Sequence, residues 1–469
     1  MDAEVFRPGM RDFENTDEED ILGDLPGMTA RSGELLGVVE GIDLMIRSIV
    51  ATCVAALGLS ILVSPAEGSP VPISGVVSDN PADFTPRITV GNAPFAAVPI
   101  GDNMYVGGAF SEVKNANRSV TLARKNLYSF HMGTGAINPL SITVDGDVLA
   151  LATDGTSLYV GGKFFNVNGV ARRGLAKINP ATGAVDTAFN AKLTGIVQDL
   201  EVANGRLIVA GKFSKRLTAV NLATGADLNY INLSITGTTS DTAGATDVWR
   251  FGISPDKSKL VAVGNFTAVN GQTRWRAFMV NLGSTSASLA PWYYPHLSKS
   301  CGASTKRPAY LRDVDFSPDG AGFFIVSTGG GPLTGDRGLT VCDAAARFNT
   351  ATASPTKPAW ITYANGDTLL STVATASAVY VQGHQKSLGP ETHEGIGAIN
   401  PNTGAVLSWD PWTQRGFGGQ VLVVTGPESP RQGLWVGSDT TQIGGGTSPT
   451  GGPAGTPEVH ERWAFFPTT

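Results

Sequence analysis

"YVGGKFFNVNGVARRGLAKINPATGAV" spans Tyr159–Val185, and "YVQGHQKSLGPETHEGIGAINPNTGAV" spans Tyr380–Val406. The two stretches align without a gap and are identical at 11 of 27 positions. Each holds short apolar runs separated by glycine-rich turns. Two stretches this alike in one chain mean an internal repeat, and a repeat fixes the architecture before any single motif is read.

The repeat is followed through its strongest anchor, an apolar run ending in glycine. It occurs as YVGGAF at Tyr105, YVGGKF at Tyr159, IVAGKF at Ile208 and VAVGNF at Val261. Weaker copies are FIVSTG at Phe324, YVQGHQ at Tyr380 and WVGSDT at Trp435. The seven copies lie 54, 49, 53, 63, 56 and 55 residues apart. Before each anchor comes another apolar run and a turn. After it come a polar loop, a strand such as GLAKINP, a Thr-Gly turn and a fourth short run. Four strands in about 50 residues is the period of a β-propeller blade. The β-branched, period-two runs exclude helical repeats. A β-helix would need shorter rungs. The expectation is an all-β, seven-bladed β-propeller of four-stranded antiparallel blades over residues 80–469. The last copy ends at ERWAFFPTT, which matches a third strand with no fourth after it. The N-terminal strand near Phe84–Val90 is therefore expected to complete the seventh blade and close the ring. The glycines of the anchors read as sites of close approach or a bulge. Their phenylalanines (Phe110, Phe164, Phe213, Phe266) read as packing between blades.

Gly-Gly-x-Phe-x-x-Val-Asn-Gly, complete at Gly161–Gly169 and partial at Gly264–Gly271, resembles the repeats of secreted bacterial β-propellers classed as a domain of unknown function. The resemblance covers about residues 80–469. It implies an extracellular propeller and carries over no catalytic residue. Propellers host enzymes, lectins and scaffolds alike, so the fold does not decide the function.

The compartment is read from the first 79 residues. Residues 1–44 are acidic and read as a disordered or mis-annotated extension. Residues 45–66 have Arg47, an uncharged apolar run from Ile49 to Val63 and the small residues of Ser64-Pro65-Ala66, the layout of a signal peptide cleaved after Ala66. The run is shorter than the ~20 residues of a membrane span. A membrane anchor through residues 48–66 is the alternative. Residues 67–79 read as a linker. Residues 1–66 carry 12 Asp/Glu against 4 Arg, which leaves residues 67–469 with 30 Lys/Arg and 28 Asp/Glu. A nearly neutral body gives no electrostatic ground for nucleic acid. Only Cys301 and Cys342 remain beyond the signal segment. In an exported chain they are expected to form one disulfide that pins the enlarged connection entering the fifth blade.

Sites are harder to read. Trp275, Tyr293, Tyr294 and His296 gather on irregular loops of one face and are the candidate ligand-binding residues. Trp292, Trp360 and Trp409 occupy the place of Phe189 and Tyr230 and read as packing. His384, Glu391 and His393 are weak metal candidates, because their spacing matches no metal motif and the stretch aligns with a plain turn. The arginines recurring ahead of the third strand (Arg118, Arg172, Arg173, Arg274, Arg276, Arg462) read as scaffold contacts. No nucleophile motif or phosphate loop is present. An acid–base enzyme would have to use carboxylates such as Asp145, Asp147, Asp313 and Asp315. No cofactor is expected, and the chain is expected to be a monomer. The expected function is a non-catalytic extracellular binding module that presents a loop face to a glycan or protein. The alternative is a secreted polysaccharide hydrolase or lyase with carboxylates near a central channel.

Overall fold

Turn chemistry cuts the chain into strands. In the run Asn179–Gly183 the Asn179 carboxamide oxygen accepts the amides of Ala181 at 3.0 Å and Thr182 at 3.1 Å. Gly183 follows with φ 72°, a left-handed conformation that glycine adopts without steric cost. The same turn recurs at Asn221 and Asn400, with Gly225 and Gly404 at positive φ.

The computed structural model describes residues 73–239, 244–302, 309–365, 368–414, 418–444 and 458–469. Residues 1–44, the apolar segment 45–66 and the first part of the linker lie outside the described residues. So do the expectations placed on Arg47 and Ala66. Among the described residues there is a 3-10 turn at Pro295–Ser298, no α-helix, and otherwise strands. No described helix is long and apolar enough to cross a membrane.

The chain is all-β and propeller-like. The main sheets follow one another along the sequence, each an antiparallel meander. Their inner strands are Arg87–Ile100, Asp147–Thr153, Ile196–Ala203, Asp247–Ile253, Tyr310–Phe316, Leu369–Ala374 and Val421–Thr425. Each inner strand pairs with a second strand, and that strand pairs with a third, as Asp147–Thr153 does with Leu158–Lys163 and then Leu175–Ile178. The fourth and fifth sheets add a fourth strand, Ala287–Leu289 and Trp360–Tyr363. In the first, second, third and sixth sheets the fourth run makes a single bridge, as between Ile178 and Val185. We number the sheets first to seventh in this order.

The core lies between sheets. Leu158, Val160 and Phe164 of the second sheet pack with Tyr105 and Leu127 of the first. Met104, Val106 and Phe130 of the first pack with Val421, Trp435 and Trp463 of the seventh. Phe110, Phe164, Phe213 and Phe266 are all buried in such seams.

Two features explain the anchor glycines. Five consecutive inner strands carry a bulge opposite the anchor, at Leu149, Gln198, Trp249, Arg312 and Leu370. In the second sheet a Cβ on Gly162 would lie 2.0 Å from the Asp147 carbonyl oxygen, and one on Gly161 would lie 2.6 Å from Val197 of the next sheet. The Val-Asn-Gly part is a clip. Asn168, at φ 47°, tips a small hairpin and accepts the Thr143 amide at 2.7 Å while donating to the Gly183 carbonyl at 2.8 Å. Asn270 repeats the clip on Ser234.

A further regularity escapes sequence comparison because its residue type changes. The residue before the third strand is left-handed in every sheet: Asn126, Gly174, Arg216, Arg276, Asp343, Gly395 and Arg462. Where it has a long side chain, that side chain donates to the next connection. Asn126 donates to Val144 and Gly146 carbonyls, Arg276 to Leu297 and Lys299, and Arg462 to Ile88. These bonds offset the strain of a non-glycine residue at positive φ.

The segment found against the last strand precedes the one expected there. Arg87–Val90 belongs to the first inner strand and pairs with Lys114–Glu112. Val77 bridges Thr468, and the Ser78 and Ala82 amides donate to the Pro467 and Phe465 carbonyls at 2.8 Å. The long first inner strand uses the residues around Arg87–Val90, so an earlier segment lies against the last strand.

Candidate functional site

The loop residues singled out from sequence do not form an exposed aromatic patch. Tyr294 is fully buried, and its hydroxyl donates to the Leu339 carbonyl at 2.6 Å. As a surface contact residue it is corrected to a packing residue. Trp275 is half-buried against the core between the fourth and fifth sheets. Tyr293 is half-buried with the Arg274 guanidinium 5.4 Å from its ring centre, and the His296 ring lies 5.3 Å from that of Tyr294, tilted by 42°. The physical reason is tethering. Arg276 bonds the carbonyls of Leu297 and Lys299 at 2.6 and 3.0 Å, and the Cys301–Cys342 disulfide joins this connection to the loop after the second strand of the fifth sheet.

The scaffold readings fit the geometry. Trp360 and Trp409 are buried, and their indole nitrogens donate to the Pro401 and Ser78 carbonyls at 3.0 Å. Arg172 and Arg274 donate to backbone carbonyls around the fourth run, and Arg124 does the same in the first sheet. Arg118 pairs with Glu461 at 3.0 Å. Asp145 caps the hairpin amides of Phe165 and Asn166 at 2.8 and 2.9 Å.

His384, Glu391 and His393 are not brought together as ligands. Buried His393 has its Nδ1 3.8 Å from Asp410. Among the described residues, the group close enough to share an ion is Asp83, Glu458 and His460.

The inner strands of the fourth and fifth sheets hold a cluster that the loop reading missed. Trp249 and Tyr310 lie with ring centres 5.1 Å apart, and the Arg312 guanidinium is 5.1 Å from one ring centre and 5.9 Å from the other. All three keep some contact with solvent. Trp249 and Arg312 are bulge residues, so their side chains are re-aimed from the usual alternation. Tyr310 follows Ala309, which packs against the disulfide. The disulfide therefore fixes the start of this strand. The available signal was polar and aromatic residues in WRFGISPD and YLRDVDF, where the second sheet carries Leu149 and Leu151.

The inner strands of the third and fifth sheets also carry carboxyl groups. Asp199 accepts the Phe251 amide at 2.8 Å, Asp313 the Thr372 amide at 2.9 Å and Asp315 the Ala374 amide at 2.7 Å. Each bond crosses to the next inner strand, so these carboxylates staple neighbouring sheets. Burial pushes Asp313 up to about 7 and Asp315 up to about 6. Burial pulls Arg312 down to about 10, with Arg250 adding to it. Glu201 shares the face of Asp199 on the same strand. Burial, then the charges of Asp199 and Asp315, raise its carboxyl well above the ordinary range.

Comparison with known proteins agrees with the fold. Residues 157–189, the second-sheet anchor and its following turn, match the model described as "Domain of unknown function (DUF5122) beta-propeller". No curated protein matches. Solved structures similar to the chain include "Structure of U3-55K", at 12% identity and TM-score 0.45, covering 83% of this chain and 99% of that one. "Crystal structure of WD40 beta propeller domain of Doa1" is similar at 10% identity and TM-score 0.40, covering 81% and 95%. "Crystal structure of RRP9 WD40 repeats" is similar at 11% identity and TM-score 0.45, covering 83% and 99%.

Proposed function

We propose that the chain is an exported, monomeric, seven-bladed β-propeller, four strands to a blade, and that it acts as a non-catalytic binding module for a glycan. The pairing of Val77 with Thr468 beside the last strand, with the first and seventh sheets sharing a core, supports the ring reading. The observation that carries the binding reading is the solvent-touching Trp249–Tyr310 pair with Arg312 beside both rings. Aromatic faces stack on the C–H faces of sugar rings, and a guanidinium bonds hydroxyl or carboxylate oxygens. The neighbouring Asp199, Asp313 and Asp315 are committed to backbone amides, which suits a scaffold more than an acid–base pair. The test is a glycan array with the purified protein and a Trp249→Ala/Tyr310→Ala variant whose folding is verified. Binding lost by the variant supports the reading. No binding by the folded wild type overturns the glycan and leaves a protein partner.

Glu201 favours a second reading, a polysaccharide hydrolase or lyase. A carboxyl raised well above its ordinary range by burial and by Asp199 and Asp315 has the character of a general acid. Release of reducing ends or unsaturated ends by the wild type, abolished in Glu201→Gln, would establish it. Binding retained in Glu201→Gln without any product supports the binding module.

A further inference from the structure

Asp83, Glu458 and His460 stand apart from the inner face, and their ligand atoms all lie within 4.8 Å of one another. His460 is 2% exposed. Its Nδ1 lies 3.4 Å from Thr85 Oγ1 and its Nε2 lies 3.1 Å from Glu458 Oε2.

Thr85 Oγ1 donates to the Trp463 carbonyl at 3.2 Å and sits against Nδ1, so the ring is held between Thr85 and Glu458. Nε2 is thereby directed at Glu458 Oε2, and Asp83 brings a further carboxylate oxygen within 4.8 Å of both. A cation seated between Nε2 and Oε2 would take the place of the proton that they share. Arg87 is engaged by the Ala116 and Val459 carbonyls.

We propose that His460 Nε2, Glu458 and Asp83 bind one divalent transition-metal ion, with Zn²⁺ the best match. One imidazole with two carboxylates is a borderline donor set of the kind zinc takes. With metal–ligand bonds of ~2.1 Å, the 3.1 Å spacing of Nε2 and Oε2 subtends roughly 95°, within reach of a four- to six-coordinate ion. The Nδ1–Thr85–Trp463 chain is the outer support that orients a metal-bound histidine. The ion would clasp two segments far apart in sequence, because Asp83 precedes the first inner strand and His460 precedes the last strand, Trp463–Pro467.

The test uses the full chain, stripped with EDTA, dialysed and given ZnCl₂, with MgCl₂ and CaCl₂ as controls. Metal content is read by mass spectrometry and stability by thermal unfolding. One equivalent of zinc should be retained, and the Tm should rise by several degrees with ZnCl₂ and by much less with the controls. Glu458→Gln supplies an amide N–H to Nε2, so it keeps the local bonding while losing a ligand. It should fold and lose both the retained zinc and the Tm rise. Asp83→Asn, at an exposed position, should weaken both without affecting the fold. Zinc retention or a Tm rise equal in wild type and both variants would overturn the proposal. So would the absence of retained zinc in the wild type.

Discussion

The second and fifth sheets solve one problem in two ways. In the second, the loop after the second strand is a short hairpin whose Asn168 bonds the preceding connection and the following turn. In the fifth, no such hairpin forms between Gly322–Thr328 and Ala344–Asn349, and Cys342 in that loop is bonded to Cys301 of the preceding connection. Both devices anchor a polar loop to its neighbour. The hairpin does so with local hydrogen bonds and an Asn-Gly turn. The fifth loop has no Asn-Gly hairpin; its ties to the preceding connection are the Tyr294–Leu339 and Gly302–Gly331 hydrogen bonds and a covalent link across a sequence separation of 41. Their inner strands differ as well, DVLALAT against YLRDVDF. The sheet that departs furthest from the repeat also contributes Tyr310, Arg312, Asp313 and Asp315 to the charged and aromatic inner face.

The comparison can be broken first at the disulfide. Replacing both Cys301 and Cys342 with Ala should cost about 4 kcal/mol, from the chain entropy of the released loop. Urea unfolding under oxidising conditions would measure it, and a loss below 1 kcal/mol would show that the loop is held by other contacts. Next is Gly162→Ala, whose Cβ meets the Asp147 carbonyl at 2.0 Å. Backbone cannot move aside cheaply there, so a loss of about 3 kcal/mol is expected. Asn168→Ala should cost about 2 kcal/mol, for two hydrogen bonds and a positive φ. Asn168→Gly, which keeps the backbone relaxed, should recover part of that loss.

The smallest effect sharpens the contrast of inner strands. Asp247, Asp313 and Asp315 sit at about 6, 7 and 6 through burial. Their folded pKa values exceed the unfolded value near 4, so the folded chain binds more protons than the unfolded one in that interval. Stability is therefore greatest at the acidic end and declines as pH rises through 6 and 7. Thermal unfolding from pH 5 to pH 8 should show a falling Tm. Glu201→Gln, which removes another carboxyl whose pKa is raised by burial, should flatten the fall. An unchanged slope would show that Glu201 ionises as freely as an exposed carboxyl.

The fold was legible because its punctuation repeats. Asn-Pro-x-Thr-Gly and Val-Asn-Gly name their own turns, and the glycine anchors mark bulges that leave no room for Cβ. The left-handed residue before each third strand was illegible, since Asn, Gly, Arg and Asp all fill it and only the backbone angle is shared. The disulfide was readable from topology. The aromatic loop face was not, because a sequence shows that Tyr294 lies in an irregular loop but not that its hydroxyl reaches the Leu339 carbonyl. Trp249 and Arg312 were hidden by a one-residue bulge that overrides the alternation used to assign strand faces.

The bridge between Val77 and Thr468 also has a kinetic side. These residues are among the most distant in the sequence that touch in the fold, and Val77 also donates to the Tyr380 hydroxyl across 303 residues. Loop-closure entropy grows only as the logarithm of length, so the seam's cost in stability is modest. Its timing is another matter. Each sheet can form from one continuous stretch of chain, but the strip around Val77–Ala82 must stay unpaired until the final strand is available. The seam should be the slowest contact to protect its amides from exchange during refolding and the first to open under stress.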